Sequence, residues 1–591
     1  MAIILIGDQV FPDSVADIVT LLAIDAENPL SEEELLALDE LLQSSGKISH
    51  RQLELFGQLS FISDGDMDII RRNADIKKFS GVENLSANAA SLIQILNSSA
   101  VEYASALNFR QMAVFGNGLR YRWRGQITGP GSKVGFLMER DPGEQQIADY
   151  YSGYLQLDFN SSKLIIGDHQ ILFGYGLNLW RSTPAFTGFE SIRTAGRSGT
   201  GLRPYRSSSE NWSLRGIAWN KQMNKLDLII SWSRNNRDGK FIQSELPLLN
   251  FTGDHTSNTA QNEKGNLVEN VFCGVGTWQS GKNSLGFSAA TVSISDSTSV
   301  TFQQPAFSIF VKNKTALASK FFEIGHGYYD SRALITGFNT ANGDLKYAVI
   351  LRYFTNDYWS VRSNPSAEWS GRYKNELGVF QGLLYRFDNQ SISIFGDLHH
   401  QTMVPSDQAS SINGSELALR WEWQRGTSKV RIQNKYSRKT VEEIKYLFLS
   451  NKPHYFRSNL FKLVYYYNFN RQFRIKTQFN NVIYSEQTGN FIGRGFELLL
   501  ARDFKFIRAR LDLVYVQNYH FQSRVYFWDL NLPGEMRSRM YTSSGFYPGI
   551  YIEYRRDELY RIAFRLRLIY PDGRQILSAG NEGGLVIDVF L

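Results

Sequence analysis

The sequence predicts a mainly β protein: a large transmembrane antiparallel β-barrel of about 24 strands, preceded by a small all-α domain. Three observations support this fold class. Segments in which apolar and polar residues alternate recur from residue 118 to the end of the chain. Aromatic residues make up 14% of the chain, which suits aromatic girdles at two membrane interfaces. No run reaches the roughly 18–20 apolar residues of a membrane helix, so a membrane crossing would require a closed barrel.

The predicted helical domain comprises residues 8–78, and residues 79–117 form a linker to the barrel at 118–591. Residues 8–78 hold 15 Asp+Glu and 6 Lys+Arg, a net charge of −9, whereas the whole chain carries +7. The other residues therefore carry +16, and an acidic head precedes a basic β body. Helix starts are indicated at Asp13, Ser31, Ser49 and Asp64.

The segment YRIAFRLRLIY, residues 560–570, shows the alternation of the predicted strands. One face would carry Ile562, Phe564, Leu566, Leu568 and Tyr570, and the other Arg561, Arg565 and Arg567. A soluble sandwich or propeller would bury the apolar face, whereas a membrane barrel presents it to lipid and turns the arginines to the lumen. About two dozen such strands without an obvious dividing linker favour one closed barrel, which has no edge strands.

Basic residues recur on the faces that are predicted to line the lumen. They could form an anion-selective pore, but interleaved Glu416, Glu422 and Asp512 favour ion pairs across neighbouring strands along a hydrated wall. On this interpretation Arg565→Gln is tolerated and Ile562→Arg blocks membrane assembly. The candidate pore-lining residues are Arg420, Arg431, Arg474, Arg508, Arg510, Arg561, Arg565 and Arg567.

Two segments are the most specific in the sequence: GDHQILFGYGLNLW (167–180) and GLRPYRSSSENWSLRGIAW (201–219). They resemble a family of Bacteroidota outer-membrane proteins labelled helix-hairpin-helix domain-containing, and SRVYFWDLNLPGEM (523–536) resembles a late segment of that family. The resemblance implies an outer-membrane barrel with a periplasmic helical domain. The candidate constriction or docking residues are Gly174, Gly176, Trp180, Arg203, Pro204, Tyr205, Arg206, Glu210 and Asn211.

The family label implies nucleic-acid binding, but the residues of the head argue against it. Helix-hairpin-helix units present backbone N–H groups to phosphate from a glycine-containing hairpin. The corresponding turn here is Leu59 to Ser63, in a domain whose negative charge repels a polyphosphate. We therefore expect the head to dock other envelope proteins, while lipid surrounds the barrel. The start, MAIILIGDQVFPDS, lacks a basic n-region, so an export signal is expected to be absent or truncated.

No catalytic, metal or cofactor motif is evident in the sequence. The pairs Asp168–His169 and His399–His400, the latter near Asp397, lack an HExxH, GxSxG or P-loop context and are interpreted as structural. A single cysteine, Cys273, excludes an internal disulfide.

The expected function is non-enzymatic, in transport or in an envelope secretion or assembly machine. A DNA-uptake component and an outer-membrane hydrolase remain alternatives, and a TonB-dependent importer is disfavoured because the head lacks a β-rich plug.

Overall fold

The computed structural model describes residues 107–590 with gaps, the longest at 181–187, 369–373, 402–409, 444–453 and 573–580. Before residue 107 it describes short pieces, of which 50–59 and 64–72 are the longest. Within this described part, no helix has the length and apolar character needed to span a membrane.

Strands dominate the described chain. In chain order they are β1 (Leu107–Phe115), β2 (Leu119–Gly129), β3 (Ser132–Arg140), β4 (Tyr150–Phe159), β5 (Ser162–Leu172), β6 (Gly201–Pro204), β7 (Leu214–Met223), β8 (Leu226–Arg237), β9 (Gly239–Ile242), β10 (Leu246–Leu249), β11 (Leu267–Ser280), β12 (Asn283–Ser295), β13 (Thr301–Lys314), β14 (Ala318–His326), β15 (Arg332–Thr340), β16 (Leu345–Phe354), β17 (Glu376–Phe387), β18 (Gln390–His400), β19 (Ser410–Arg425), β20 (Ser428–Glu443), β21 (His454–Asn468), β22 (Phe473–Glu486), β23 (Gly489–Asp503), β24 (Ile507–Gln517), β25 (Val525–Trp528), β26 (Ser538–Tyr541), β27 (Gly545–Arg556), β28 (Tyr560–Arg567), β29 (Tyr570–Pro571) and β30 (Glu582–Phe590).

Twenty-four of these described strands form one closed antiparallel barrel. Each barrel strand pairs with its neighbour along the chain, and β1 pairs with β30 from Asn108↔Phe590 to Phe115↔Gly583, which closes the sheet. Strands β6 and β29 are short additions at the ends of β5 and β27, while β9–β10 and β25–β26 form separate two-stranded sheets. The predicted barrel and its strand number are confirmed.

The barrel begins earlier than the sequence predicts. Strand β1 lies inside the predicted linker 79–117. The sequence pattern missed it because its alternation is weak: Gln111 interrupts the outward apolar face. The inward face is nevertheless specific, since Arg110 is buried and its Nε lies 2.6 Å from Asp588 of β30. This closing ion pair joins residues 478 positions apart, which local pattern cannot reveal.

Four α-helices are described from end to end: α1 (His50–Gln58), α2 (Asp64–Arg72), α3 (Ser191–Thr194) and α4 (Asn258–Glu263). Two single-turn 3-10 helices lie at Gly188–Glu190 and Phe521–Ser523. Helices α1 and α2 begin where Ser49 and Asp64 predict helix starts. The starts predicted at Asp13 and Ser31 lie outside the described residues, and the independent all-α domain remains a prediction.

The outer face of the barrel is apolar. In β13, exposed and buried residues alternate, and the exposed set includes Phe307, Ile309 and Val311. The same alternation in β28 exposes Ile562 and Phe564, as the sequence predicts. It buries the arginines of the opposite face, Arg561, Arg565 and Arg567. A continuous apolar band around a closed barrel is suited to lipid rather than water.

Successive connections alternate between the two ends of the barrel, because each strand runs antiparallel to the one before it. The long connections all lie at one of these ends. Connections such as 160–161, 224–225 and 388–389 define the short-turn end, where β1 begins and β30 ends. The long-loop end carries the connections 173–213, 238–266, 355–375 and 518–544. Described residues of the connections 173–213, 355–375 and 518–544 pack against the inner wall of the barrel.

Candidate functional site

The connection between β5 and β7, residues 173–213, folds into the lumen and is called the first inward segment here. Its FGYGLNLW stretch is buried throughout, from Phe173 to Trp180. The Tyr175 ring lies 4.6 Å from that of Phe321, and the Phe173 ring 5.1 Å from that of Phe310, both on the barrel wall. These residues belong to one large hydrophobic core, so this side of the lumen is packed like a protein interior.

The backbone conformation of this stretch requires its two glycines. Gly174 has φ +58° and Gly176 has φ +100°, both in the region that favours glycine. A Cβ on Gly174 would lie 2.5 Å from Oε1 of Glu323, a fully buried wall residue. The Glu323 carboxylate accepts a hydrogen bond from the Tyr175 N–H, so the close approach fixes the segment to β14.

Gly174→Ala is expected to destabilise the protein by about 1–3 kcal/mol more than Gly281→Ala, because it adds a clash in a packed interior. Gly281 provides a matched control: its φ is +57°, yet a Cβ added there would have no atom within 4 Å. Urea unfolding of both variants in lipid vesicles measures the difference. Equal losses would show that Gly174 is needed for its backbone conformation alone.

The other candidate residues of the first inward segment do not form one site. Arg203 and Pro204 lie in β6, paired with the end of β5, and the buried Tyr205 hydroxyl donates to the Ser209 carbonyl oxygen at 2.5 Å. The Trp180 N–H donates to the Arg362 carbonyl oxygen of connection 355–375 at 2.8 Å. Asn211 lies outside the described residues. These contacts position the segment rather than build a reaction centre.

Residues 518–544, called the second inward segment, cover the opposite part of the lumen. Asp529 of this segment accepts a hydrogen bond from Arg567 at 2.7 Å, and Glu535 one from Arg565 at 2.8 Å. Phe527 and Leu532 are buried between the segment and the wall. The late segment SRVYFWDLNLPGEM therefore packs over the arginines of β28.

The lumen-facing arginines are largely engaged with protein groups, which corrects the expectation of a hydrated wall. Arg565 and Arg567 are 0% exposed because the second inward segment covers them.

The predicted acidic partners are present: Glu422 contacts Arg431, Glu416 contacts Lys435, and Asp512 contacts Arg567. The remaining candidate residues have these partners: Arg474 and Arg508 contact Asp503, Arg561 contacts Asp588, Arg510 lies over the Tyr551 ring, and Arg420 lies over the Phe189 ring. Pore lining stays a prediction for them.

The N-terminal helices contact both inward segments. The Arg197 guanidinium donates to the carbonyl oxygens of Gly57 and Leu59 at the end of α1, and Trp528 packs against the hydrophobic cluster of the head. Arg206 reaches Gln58 Oε1 at 3.4 Å. Positive groups at a helix C-terminus stabilise it, so the first inward segment caps α1. No described residue before 107 is in a strand.

A cavity of about 930 Å³ separates these helices from the barrel wall at the short-turn end. Its lining includes nine basic side chains and one acidic side chain, Asp227. The basic set is Arg71, Lys133, Lys163, Arg197, Arg203, Arg206, Lys282, Lys312 and Lys314. On the head, Asp66 interacts electrostatically with Arg193, Lys346 and Arg386. The acidic head thus lies against basic groups of its own barrel.

A second cluster, which the sequence did not reveal, lies at the long-loop end. It contains Glu144, Asp149, Glu210, Asp238 and His255, which come from three different connections. Burial and neighbouring carboxylates raise the pKa of Glu210 to about 9. Hydrogen bonds to Asp149 and Asp238 raise the pKa of His255 to about 10. The residues lie up to 111 positions apart, so no spacing in the sequence indicates them.

Comparison with known proteins gives similarity at the level of architecture. No family model matches the chain, and no curated protein matches it. The siderophore receptor PirA from Pseudomonas aeruginosa aligns with TM-score 0.42 and 8% identity, over 83% of this chain and 81% of that one. The FrpB iron transporter from Neisseria meningitidis gives 0.41 and 10%, over 83% of each chain. The ferric yersiniabactin uptake receptor FyuA from Yersinia pestis gives 0.36 and 10%, over 83% and 81%.

The histidines considered for hydrolysis have structural surroundings. His169 Nε2 lies 2.7 Å from Ser231 Oγ, but both residues are buried and closed to a substrate. The adjacent Asp168 contacts Arg215 at 3.0 Å instead of the imidazole. Asp397 likewise contacts Arg352, at 2.8 Å. Neither arrangement combines an accessible nucleophile with an oriented base.

Proposed function

We propose that this protein is a non-enzymatic outer-membrane barrel for transport, or a subunit of an envelope secretion or assembly machine, whose lumen is closed at rest by its own segments. One observation carries the proposal: the helical head contacts both inward segments at the mouth of a closed, lipid-facing barrel. Membership of the Bacteroidota family that the sequence resembles stays a prediction, and it would fit this role. Opening would require the head and at least one inward segment to move.

The orientation of the barrel supports a periplasmic position for the head. Outer-membrane barrels have short periplasmic turns and longer extracellular loops. The short-turn end holds the chain entry at Leu107, and the head contacts the lumen from that side. A periplasmic partner protein could therefore bind the head and draw it away from Arg197 and Arg206. The acidic surface of the head would provide the docking site.

The contacts of the hairpin between α1 and α2 argue against DNA uptake with the head as receptor. A phosphate-binding hairpin must present its backbone to the duplex. Here the Gly57 and Leu59 carbonyl oxygens accept hydrogen bonds from Arg197 of the barrel. The end of α1, where the hairpin begins, is thus directed at the lumen.

Arg197→Ala in the full-length protein is expected to raise the open probability of single channels in planar bilayers roughly tenfold or more. The variant loses charge-assisted hydrogen bonds worth about 1.5–3 kcal/mol, which stabilise only the docked head. High salt should produce a smaller change in the same direction, because it screens the attraction between acidic head and basic lumen.

The matched control is Arg332→Ala, which removes an exposed arginine whose carboxylate partner, Asp330, lies 3.1 Å away on the surface. Its open probability should equal that of the wild type. If Arg197→Ala behaves in the same way as this control, the head does not close the lumen and the proposal fails.

A further inference from the structure

A buried cluster of metal-binding residue types lies where three long connections meet. Glu144 and Asp149 belong to the β3–β4 connection, and Asp238 and His255 belong to the β8–β11 connection. Glu210 of the first inward segment lies beside them. The cluster is separate from the aromatic packing of FGYGLNLW and from the ion pairs of the second inward segment.

The two ring nitrogens of His255 have different carboxylate partners. Nδ1 lies 3.1 Å from Glu144 Oε1 and 3.3 Å from Asp149 Oδ2. Nε2 lies 2.9 Å from Asp238 Oδ2. The three candidate ligand atoms on the Nδ1 side lie within 4.8 Å of one another. Ligand atoms that bind one first-row ion tetrahedrally at about 2.0–2.2 Å lie roughly 3.3–3.6 Å apart, so Nδ1 and the two carboxylate oxygens already have nearly the required spacing.

In the described part of the chain, one oxygen of this group lacks a hydrogen-bond donor, and the carboxylate to which it belongs also shares a hydrogen bond with Glu144. Asp149 Oδ1 is buried and has no hydrogen-bond partner among the described residues, and the Asp149 side chain is only 2% exposed. A buried carboxylate oxygen left in this state is costly, and native structures usually satisfy it. Because Asp149 Oδ2 already faces His255, the whole carboxylate lies at the candidate site.

The charges of the cluster also favour a cation. Four carboxylates surround two basic groups, His255 and Lys264, and the Lys264 Nζ lies 3.5 Å from Asp149. A bound divalent ion would supply positive charge directly to Glu144 and Asp149, the two carboxylates that face His255 Nδ1. The Lys264 ammonium leaves Asp149 Oδ1 without a partner, so it does not substitute for the ion.

We propose that Glu144, Asp149 and His255 Nδ1 bind a divalent first-row transition-metal ion such as Zn²⁺, which displaces the Nδ1 proton to solvent as it binds. Asp238 accepts the Nε2–H hydrogen bond, which orients the imidazole as carboxylates do behind metal-bound histidines. A nitrogen ligand favours these ions over Ca²⁺, which prefers six to eight oxygens. The site would fasten the β3–β4 and β8–β11 connections together beside the first inward segment, whatever the barrel transports.

The test uses the full-length protein in detergent, stripped with EDTA and titrated calorimetrically with ZnCl₂. One Zn²⁺ should bind per chain. His255→Ala should weaken binding at least about 100-fold, and the positioning variant Asp238→Asn about 10–100-fold. His400→Ala, at an exposed histidine whose ring contacts Asn413, is the matched control and should bind like the wild type. Heat-modifiable migration on gels verifies that each variant retains the barrel.

A second measurement does not depend on variants. Wild-type protein loaded with one Cu²⁺ should show a single coordinated imidazole nitrogen by pulsed electron paramagnetic resonance. Absence of stoichiometric Zn²⁺ binding, unchanged binding in His255→Ala, tight binding of Ca²⁺ but not Zn²⁺, or a Cu²⁺ spectrum without imidazole would each overturn the proposal.

Discussion

Arg567→Gln is expected to lower the free energy of unfolding by about 3–5 kcal/mol, because it leaves buried carboxylates without their cation. Arg567 donates to Asp512 and Asp529 at 2.7 Å each, and to the Tyr547 carbonyl oxygen at 3.0 Å. Asp512 lies on the wall and Asp529 on the second inward segment, so one guanidinium joins the two. Its loss should destabilise the wall and release the segment together.

Urea unfolding in lipid vesicles measures the first effect, and trypsin cleavage of the second inward segment after Arg537 or Arg539 measures the second. Arg332→Gln is the control: its side chain is 65% exposed, and a surface ion pair contributes at most about 1 kcal/mol. Unchanged stability and unchanged cleavage in Arg567→Gln would show that this ion-pair network does not hold the segment.

The same reasoning reverses the expectation that Arg565→Gln is tolerated. That expectation requires an arginine in contact with lumen water. The Arg565 side chain is fully buried, and its guanidinium lies 2.8 Å from Glu535 and 3.0 Å from Glu582. Glutamine would leave both carboxylates partly unpaired, so this variant should also be destabilised.

Ile309→Arg is expected to reduce the fraction of protein that reaches the folded, membrane-inserted state. Ile309 is 40% exposed on the outer face of β13, opposite Phe287 of β12 and Ile324 of β14, which are also exposed. The outward residues of β13 are apolar from Pro305 to Val311, which places Ile309 near the middle of the lipid band. An arginine at that depth costs about 2–4 kcal/mol.

Heat-modifiable migration after refolding into vesicles measures the folded fraction, and Ile309→Leu, which keeps volume and polarity, is the control. The expectation for Ile562→Arg is refined by position. Ile562 lies near the β27–β28 turn, where the cost of arginine falls toward about 0–1 kcal/mol. If Ile309→Arg folds as well as Ile309→Leu, the outer face does not contact lipid.

Much of the barrel could be predicted from sequence because alternation is a local property. In β28, the two-residue period alone assigns Ile562 to the outside and Arg565 to the inside, and the structure agrees. The weak alternation of β1 is the exception, since only its pairing with Asp588 reveals the inward face of Arg110. The glycines of FGYGLNLW stand out in the sequence, but the reason for Gly174, a close approach to Glu323, is not visible there.

What occupies the lumen depended on tertiary structure. Contacts between distant segments decide whether Arg567 binds water or Asp529 and whether Arg197 binds solvent or the end of α1. They also bring three carboxylates to His255. Sequence determined that a wall of arginines and apolar residues would form, because a strand imposes its period on neighbouring residues. Only the fold decided what covers that wall, because long connections are free to enter the lumen or leave it until packing and buried charge select one path.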